Sequence, residues 1–211
     1  MNLNRPYTGR MTVPALWDRE TGTIVSNESS EIIRMFNDAF ADVGAAGPDF
    51  YPEDLRNDID DVNAVVYETV NNGVYRAGFA TSQEAYDEAF DTLFATLDDL
   101  DARLSRQRYL AGDRITEADW RLFTTLVRFD PVYHGHFKCN RRRLVDYPNL
   151  WPYVRELYQV SRRRRDGAHG SHHVPLLRQP PHGEPDGHRA QGTGHRFLGA
   201  PQPGPLNRSI P

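Results

Sequence analysis

Two short segments near the beginning of the chain carry groups that could hold a small extended peptide with charged ends. The first ends at Val13 and Pro14. Because proline has no N–H and interrupts the ladder of a sheet, the backbone N–H and C=O of Val13 stay free for a ligand. The second is Glu28, Ser29 and Ser30, at a predicted helix start, where unpaired N–H groups and the positive dipole end favour a carboxylate.

The second segment also fits a simpler interpretation. Ser26 or Asn27 could cap the helix, with Glu28 as the acid of its first turn. The combination of both segments favours a peptide-binding site over a cap alone.

The spacing of apolar residues predicts the elements that position these segments. Residues 10–17 and about 22–26 are expected to pair as antiparallel strands, closed by a turn that contains Gly22. Residues 28–41 follow as a helix. Its apolar stripe consists of Ile32, Ile33, Phe36 and Phe40. A linker rich in Gly, Ala and Pro occupies residues 44–52.

After the linker the pattern is helical to about residue 160. Two runs show three- and four-residue steps: Leu55, Ile59, Val62, Val66 and Val70 in the first, and Tyr86, Ala89, Leu93, Leu97, Leu100 and Leu104 in the second. Thr116 is a predicted N-cap with Asp119 at the capping-box position, and this helix is expected to end before Pro131. A final helix spans about 149–159.

Charge divides the chain near residue 161. The whole chain carries −4, and residues 161–211 carry eight Arg and three acids, or +5, which leaves −9 on residues 1–160. The tail is rich in Pro, Gly and His. It is expected to be disordered because it has too little apolar surface to offset its ordering entropy.

The tail suggests two functions that its pattern does not support. His169, His172 and His173 lack paired metal-ligand spacing. The run Arg162–Arg165 is typical of a solvated charge block rather than of a nucleic-acid site. Our hypothesis is that a reading-frame shift near codon 160 produced the tail, since the helical pattern changes there abruptly to residues with GC-rich codons.

The single cysteine, Cys139, excludes an internal disulfide and fits a reducing compartment. No apolar run approaches membrane-spanning length, and nothing resembles a signal peptide. The acidic body argues against nucleic acid. These observations predict a cytoplasmic protein without a membrane or nucleic-acid partner.

Several segments together closely resemble the glutathionyl-hydroquinone reductases, the Xi class of glutathione transferases. The segments are Thr12–Asp18, Ser26–Glu31, Asn72–Ala80, Thr116–Tyr133 and Tyr147–Trp151. The resemblance runs from about Tyr7 to Val160. It implies an α+β chain: a partial thioredoxin-like ββα remnant over residues 1–45, an all-α glutathione-transferase C-terminal domain of about five helices over 46–160, and the disordered tail over 161–211.

The resemblance implies that glutathione is the co-substrate and that no metal is needed. The backbone that runs along the tripeptide belongs to Arg10, Met11, Thr12 and Val13. Pro14 is expected to follow a cis peptide bond. Glu28 is expected to pair with the ammonium of the γ-glutamyl residue. Ser29 and the amides of the helix start are expected to contact the carboxylate of the same residue.

Tyr75 and Tyr133 match family tyrosines that line an aromatic substrate pocket. By resemblance, Tyr75 exchanges a proton with the hydroquinone oxygen, and Tyr133 helps to stabilise a cysteine thiolate by hydrogen bonding. A phenol suits both roles because it donates a hydrogen bond and stacks against a ring. The alternative is purely structural, since the chain has ten tyrosines and most buried ones satisfy a carbonyl.

The family's nucleophile is a cysteine followed by proline and tryptophan, at the N-terminus of the first helix of the thioredoxin unit. The helix dipole lowers its pKa there. This sequence begins downstream of that position, and Cys139 is interpreted as a packing thiol. We therefore expect a homodimeric reductase or transferase of glutathionyl-quinol conjugates that is itself weak or inactive. The alternatives are a non-catalytic binding or dimerisation module, and a nucleic-acid binder driven by the tail.

Overall fold

The computed structural model describes residues 13–44 and 47–168, which belong to one compact unit. The unit begins with a two-stranded antiparallel sheet, β1 (Leu16–Asp18) and β2 (Thr23–Ser26), in which Trp17 lies opposite Ile24. Strand β1 starts later than predicted. Pro14 explains this because it cannot donate to the ladder.

The β1–β2 turn is the one that the sequence predicts. Gly22 has a φ of 65°, a conformation that suits glycine, and its N–H donates to the carbonyl of Asp18 at 3.0 Å. The Asp18 carboxylate accepts from the Thr21 hydroxyl at 2.6 Å and from the Glu20 N–H at 2.8 Å. These hydrogen bonds lower the pKa of Asp18, Thr21 contributing most.

Helix α1 (Ser29–Asp38) follows β2 and is shorter than predicted, with a separate 3₁₀ turn at Ala41–Val43. Ile32 is buried, whereas Ile33, Phe36 and Phe40 are exposed. The predicted apolar stripe therefore lies on one helix, but only its Ile32 side chain is buried by other described residues. Phe36 and Phe40 stack on each other with ring centroids 5.3 Å apart.

The rest of the unit is a helical body. Its helices are α2 (Arg56–Val66), α3 (Gly73–Gly78), α4 (Gln83–Leu104), α5 (Glu117–Leu126), the single turn α6 (His134–His136) and α7 (Leu150–Ala168). The backbone of α7 continues past the predicted end near residue 159, because arginine and alanine, which favour helices, follow there. The predictions made for the tail beyond residue 168 concern residues outside the described ranges.

The predicted periodicities identify the core of the body correctly. Ile59, Val62, Val66 and Val70 are buried, as are Leu93, Leu97 and Leu100, while Leu55, Tyr86, Ala89 and Leu104 are partly buried against them. Fully burying such a side chain stabilises the fold by about 1.5–3 kcal/mol. In the described part of the chain, no helix has the length and apolar character needed to span a bilayer.

Two π-helical turns lie between the helices. One, Tyr67–Asn71, separates α2 from α3, and the Asn72 N–H donates to the carbonyl of Tyr67 at 2.9 Å. The other, Phe129–Tyr133, contains Pro131. Proline lacks the N–H that an α-helix requires, so α5 ends before it, as expected.

The capping box at α5 ties three parts of the body together. Asp119 is fully buried and accepts from the backbone N–H of Thr116 at 2.7 Å, the N–H of Leu110 at 2.9 Å and the hydroxyl of Tyr153 at 2.8 Å. Burial raises the pKa of Asp119, and these hydrogen bonds oppose the rise. The box therefore holds α5, α7 and the loop before α5 in register.

We predict that Thr116→Ala lowers the free energy of unfolding by about 1 kcal/mol or somewhat more, because it removes the N-cap hydroxyl. Urea denaturation followed by circular dichroism measures the change. Thr124→Ala is the matched control, since Thr124 is an exposed threonine of the same helix. Equal stability of the two variants would contradict the assignment.

Candidate functional site

A cleft of about 790 Å³ lies where the start of α1 faces the helical body. Val13, Glu28 and Ser29 line it from the ββα segment, and Asn63, Tyr67 and Arg121 line it from α2, the following π-helical turn and α5. The structure thus brings three of the proposed glutathione-binding residues to one cavity. Arg10, Met11 and Thr12 lie outside the described residues.

Val13 stands ahead of β1 with its side chain exposed, so the sheet does not occupy its backbone groups. The Val13–Pro14 peptide bond is cis, as the resemblance implies.

The start of α1 does not have the ordinary cap that Ser26 or Asn27 could provide. Glu28 is the N-cap residue, and no side chain caps the helix. The Ser26 hydroxyl instead accepts from the Glu28 N–H at 3.1 Å and donates to the Glu31 carboxylate at 2.7 Å. The Glu31 N–H donates to the carbonyl of Glu28 at 3.1 Å, so the amides of Ser29 and Ser30 are the ones left for a ligand at the edge of the cleft.

A charged network fixes α1 against the helical body. The guanidinium of Arg34 donates to both oxygens of the Glu117 carboxylate, at 3.0 and 3.2 Å, and also to Asp60 on α2. Glu117 is buried. Burial alone would lower the pKa of Arg34, but the hydrogen bonds to Glu117 and Asp60 raise it above its ordinary value. Arg34 therefore stays charged in this position.

The Glu117 carboxylate also organises the body side of the cleft. It accepts from the side-chain amide of Asn63 at 2.9 Å and pairs with Arg121 at 3.4 Å. The guanidinium of Arg121 lies over the ring of Tyr67, 5.7 Å from its centroid. Three cleft-lining side chains thus take their positions from one buried acid.

Sequence reasoning missed Arg34, Asn63 and Arg121. Asn63 leaves a recognisable signal, because it lies four residues after Ile59 on the face that the apolar pattern assigns to the core. A polar side chain at such a position needs a partner inside the fold. Nothing in the pattern indicates that this partner is Glu117.

The two proposed pocket tyrosines contact each other. The hydroxyls of Tyr75 and Tyr133 are 3.2 Å apart, and their rings meet edge to face with centroids at 5.8 Å. Tyr75 is 46% exposed and Tyr133 only 4%. Burial, with help from the Tyr75 hydrogen bond, raises the pKa of Tyr133 to about 12. Neither tyrosine lines the cleft at α1.

Two phenylalanines extend the tyrosine pair into an aromatic cluster. The ring of Phe137 lies 5.4 Å from Tyr133, 5.5 Å from Tyr75 and 5.2 Å from Phe79. Phe79 is 70% exposed. Gly78 permits this packing, since a Cβ there would come within 2.2 Å of the Phe137 ring. Phe79 and Phe137 with Tyr75 and Tyr133 form the aromatic cluster, whose exposed members are Phe79 and Tyr75.

We predict that Gly78→Ala displaces Phe137 and destabilises the protein by about 1–3 kcal/mol, as overpacking commonly does. Gly73→Ala in the same helix is the matched control, because its Cβ would meet Leu93 at an ordinary 3.8 Å. Urea denaturation compares the two variants. Equal effects would show that Phe137 adjusts without cost.

Cys139 is fully buried, as the packing interpretation expects. Its thiol lies 3.8 Å from the carbonyl oxygen of Phe137, and burial raises its pKa to about 11. A thiol with this pKa is a poor nucleophile at neutral pH, because the thiolate is the reactive form. Cys139 is therefore unsuited to thiol exchange in the folded protein.

We predict that Cys139 resists an aromatic disulfide reagent at pH 8 in the native protein. With a pKa of about 11, roughly one thiol in a thousand is ionised at that pH. In urea the same cysteine should react at the rate of a free thiol. The absorbance of the aromatic thiolate that the reagent releases measures the reaction. Rapid reaction of the native protein would contradict the burial of Cys139.

In the described ranges, no group of three or more His, Cys, Asp or Glu side chains is arranged to hold a metal ion.

Comparisons with known proteins identify relatives of this chain. The family described as "Glutathione S-transferase, C-terminal domain" matches residues 83–156. Glutathionyl-hydroquinone reductase PcpF of Sphingobium chlorophenolicum is 63% identical over 156 residues, which cover 74% of this chain and 50% of the relative.

Two solved structures are similar in both sequence and fold. The glutathione-bound structure of YqjG, a glutathione transferase homologue from Escherichia coli K-12, is 59% identical with a TM-score of 0.71, over 72% of this chain and 50% of that one. A Xi-class glutathione transferase from Natrialba magadii is 57% identical with a TM-score of 0.69, over 71% and 46%.

The chain spans about half the length of the curated relatives that it matches. Within that half the identity is high and the fold agrees. The resemblance identified from the sequence is therefore confirmed: over about three quarters of its length, this chain is related to the glutathionyl-hydroquinone reductases of the Xi class of glutathione transferases.

Proposed function

We propose that this chain binds glutathione in the cleft at α1 and the ring of a glutathionyl-hydroquinone beside Tyr75 and Tyr133. The observation that carries the proposal is the meeting of Val13, Glu28 and Ser29 on one cavity. They supply the three kinds of group that the tripeptide needs: backbone groups outside the sheet, an acid for its ammonium, and a hydroxyl with helix amides for its carboxylate.

The aromatic cluster supports the second half of the proposal. A quinol ring can stack against Phe79 and place an oxygen near Tyr75, whose exposed phenol donates or accepts a hydrogen bond. Tyr133, with a pKa of about 12, stays protonated at neutral pH and acts as a hydrogen-bond donor.

The resemblance implies a thiol exchange in which a thiolate attacks the conjugate's sulfur. The carbon–sulfur bond breaks, the ring carbon gains a proton, and a second glutathione reduces the mixed disulfide to release glutathione disulfide. Cys139, the one cysteine in these 211 residues, is buried with a raised pKa. We therefore propose that this 211-residue polypeptide binds both ligands and releases hydroquinone from the conjugate at near-background rates.

We predict that isothermal titration of the full chain with glutathione gives saturable binding that Glu28→Gln weakens by roughly 10- to 100-fold, the usual loss for a charged hydrogen bond. Ser29→Ala should lower the affinity for glutathione roughly 2- to 10-fold, the usual loss for a neutral hydrogen bond. Glu84→Gln is the matched control, since Glu84 lies in the first turn of another helix. Unchanged affinity in the Glu28 and Ser29 variants would refute the cleft as the glutathione site.

The same preparation tests the alternative of a non-catalytic binding module, which the burial of Cys139 favours. Incubation with glutathione and a glutathionyl-hydroquinone should release quinol at the uncatalysed rate, measured by chromatography. Robust turnover would contradict the assignment of Cys139 as an inert thiol. The homodimer expected from the resemblance and the cytoplasmic location expected from the composition remain predictions.

A further inference from the structure

Asn63 on α2 is a buried polar side chain whose amide oxygen has no hydrogen-bond partner among the described residues. It is 5% exposed, its Nδ2 donates to Oε1 of Glu117 at 2.9 Å, and its Oδ1 has no partner among the described residues. A buried acceptor without a donor costs stability, so its presence needs a reason.

The orientation of the Asn63 amide follows from its neighbour. The Glu117 carboxylate, which Arg34 holds in place, offers only acceptors. Rotating the amide by half a turn would set Oδ1 against that carboxylate and lose the 2.9 Å hydrogen bond. The network therefore leaves Oδ1 as the amide atom without a hydrogen-bond partner.

Asn63 lines the same cleft as Glu28 and Ser29. We infer that Oδ1 of Asn63 accepts a hydrogen bond from the α-ammonium of the γ-glutamyl residue when glutathione binds, an inference that rests on the proposed function. Asn63 is then a specificity-determining residue that the helical body contributes to the glutathione site.

The choice of the ammonium follows from the donors of the tripeptide. Its amide N–H groups run along the extended backbone at Val13, which leaves the ammonium as the charged donor beside the carboxylate at α1. An ammonium has three N–H bonds, and Glu28 and Asn63 can accept two of them from opposite walls of the cleft.

The test compares glutathione with its desamino analogue, in which hydrogen replaces the ammonium, by titration calorimetry of the full chain. The unmodified chain should bind glutathione more tightly than the analogue. Asn63→Leu keeps the side-chain volume. It should weaken the affinity for glutathione about 5- to 10-fold, the usual loss for one hydrogen bond, and leave the affinity for the analogue unchanged.

Asn71→Leu is the matched control. Its Oδ1 is also buried without a partner, and its Nδ2 donates to the carbonyl of Arg121 at 3.0 Å and to the hydroxyl of Thr125 at 2.9 Å. Asn71 does not line the cleft. The preference for glutathione over the analogue should therefore survive this substitution.

Three results would overturn the inference. If Asn63→Leu lowers the affinity for both ligands equally, or for neither, Asn63 serves only to position Glu117. If the unmodified chain binds both ligands equally well, the inference fails together with the proposed role of Glu28, while glutathione binding in the cleft stands. Absence of any glutathione binding would overturn both.

A measurement on the unmodified chain covers the case in which Asn63→Leu does not fold. The side-chain amide resonances of Asn63 in a nitrogen–proton correlation spectrum should shift when glutathione is added and not when the analogue is added. Identical shifts with the two ligands would overturn the inference.

Discussion

The ion pair between Arg34 and Glu117 is the interaction on which the arrangement depends. It joins helix α1 to helix α5 across 83 residues of sequence. Glu117 is buried, and a buried carboxylate without its partner costs far more than a surface charge. The pair also has the forked geometry of guanidinium and carboxylate, which fixes orientation as well as distance. The two sides of the cleft therefore have one relative position.

The same carboxylate makes the cleft chemically specific. It orients Asn63 and pairs with Arg121, so the body side carries directed polar groups instead of a plain apolar wall. The opposite side carries Glu28 and Ser29 at an uncapped helix start. A zwitterionic ligand end suits this arrangement, because each of its charges finds an opposite partner in a partly desolvated site.

The aromatic cluster depends on backbone irregularity instead. The π-helical turns just before Tyr75 and ending at Tyr133 change the helical phase by one residue each. The hydroxyls of Tyr75 and Tyr133 lie 3.2 Å apart as a result. Phe137 can pack against both rings only because Gly78 has no side chain.

The sequence by itself determined the features that follow local rules. Helical periodicity identified the buried face of α2 and α4, and the Thr116–Asp119 spacing identified the cap of α5, because both depend on neighbours within one or two turns. Resemblance supplied the pairing of Val13 with Glu28 in one site. Only the tertiary structure decided that Glu117 pairs with Arg34 and orients Asn63, since no local pattern specifies which distant partner a buried polar group meets.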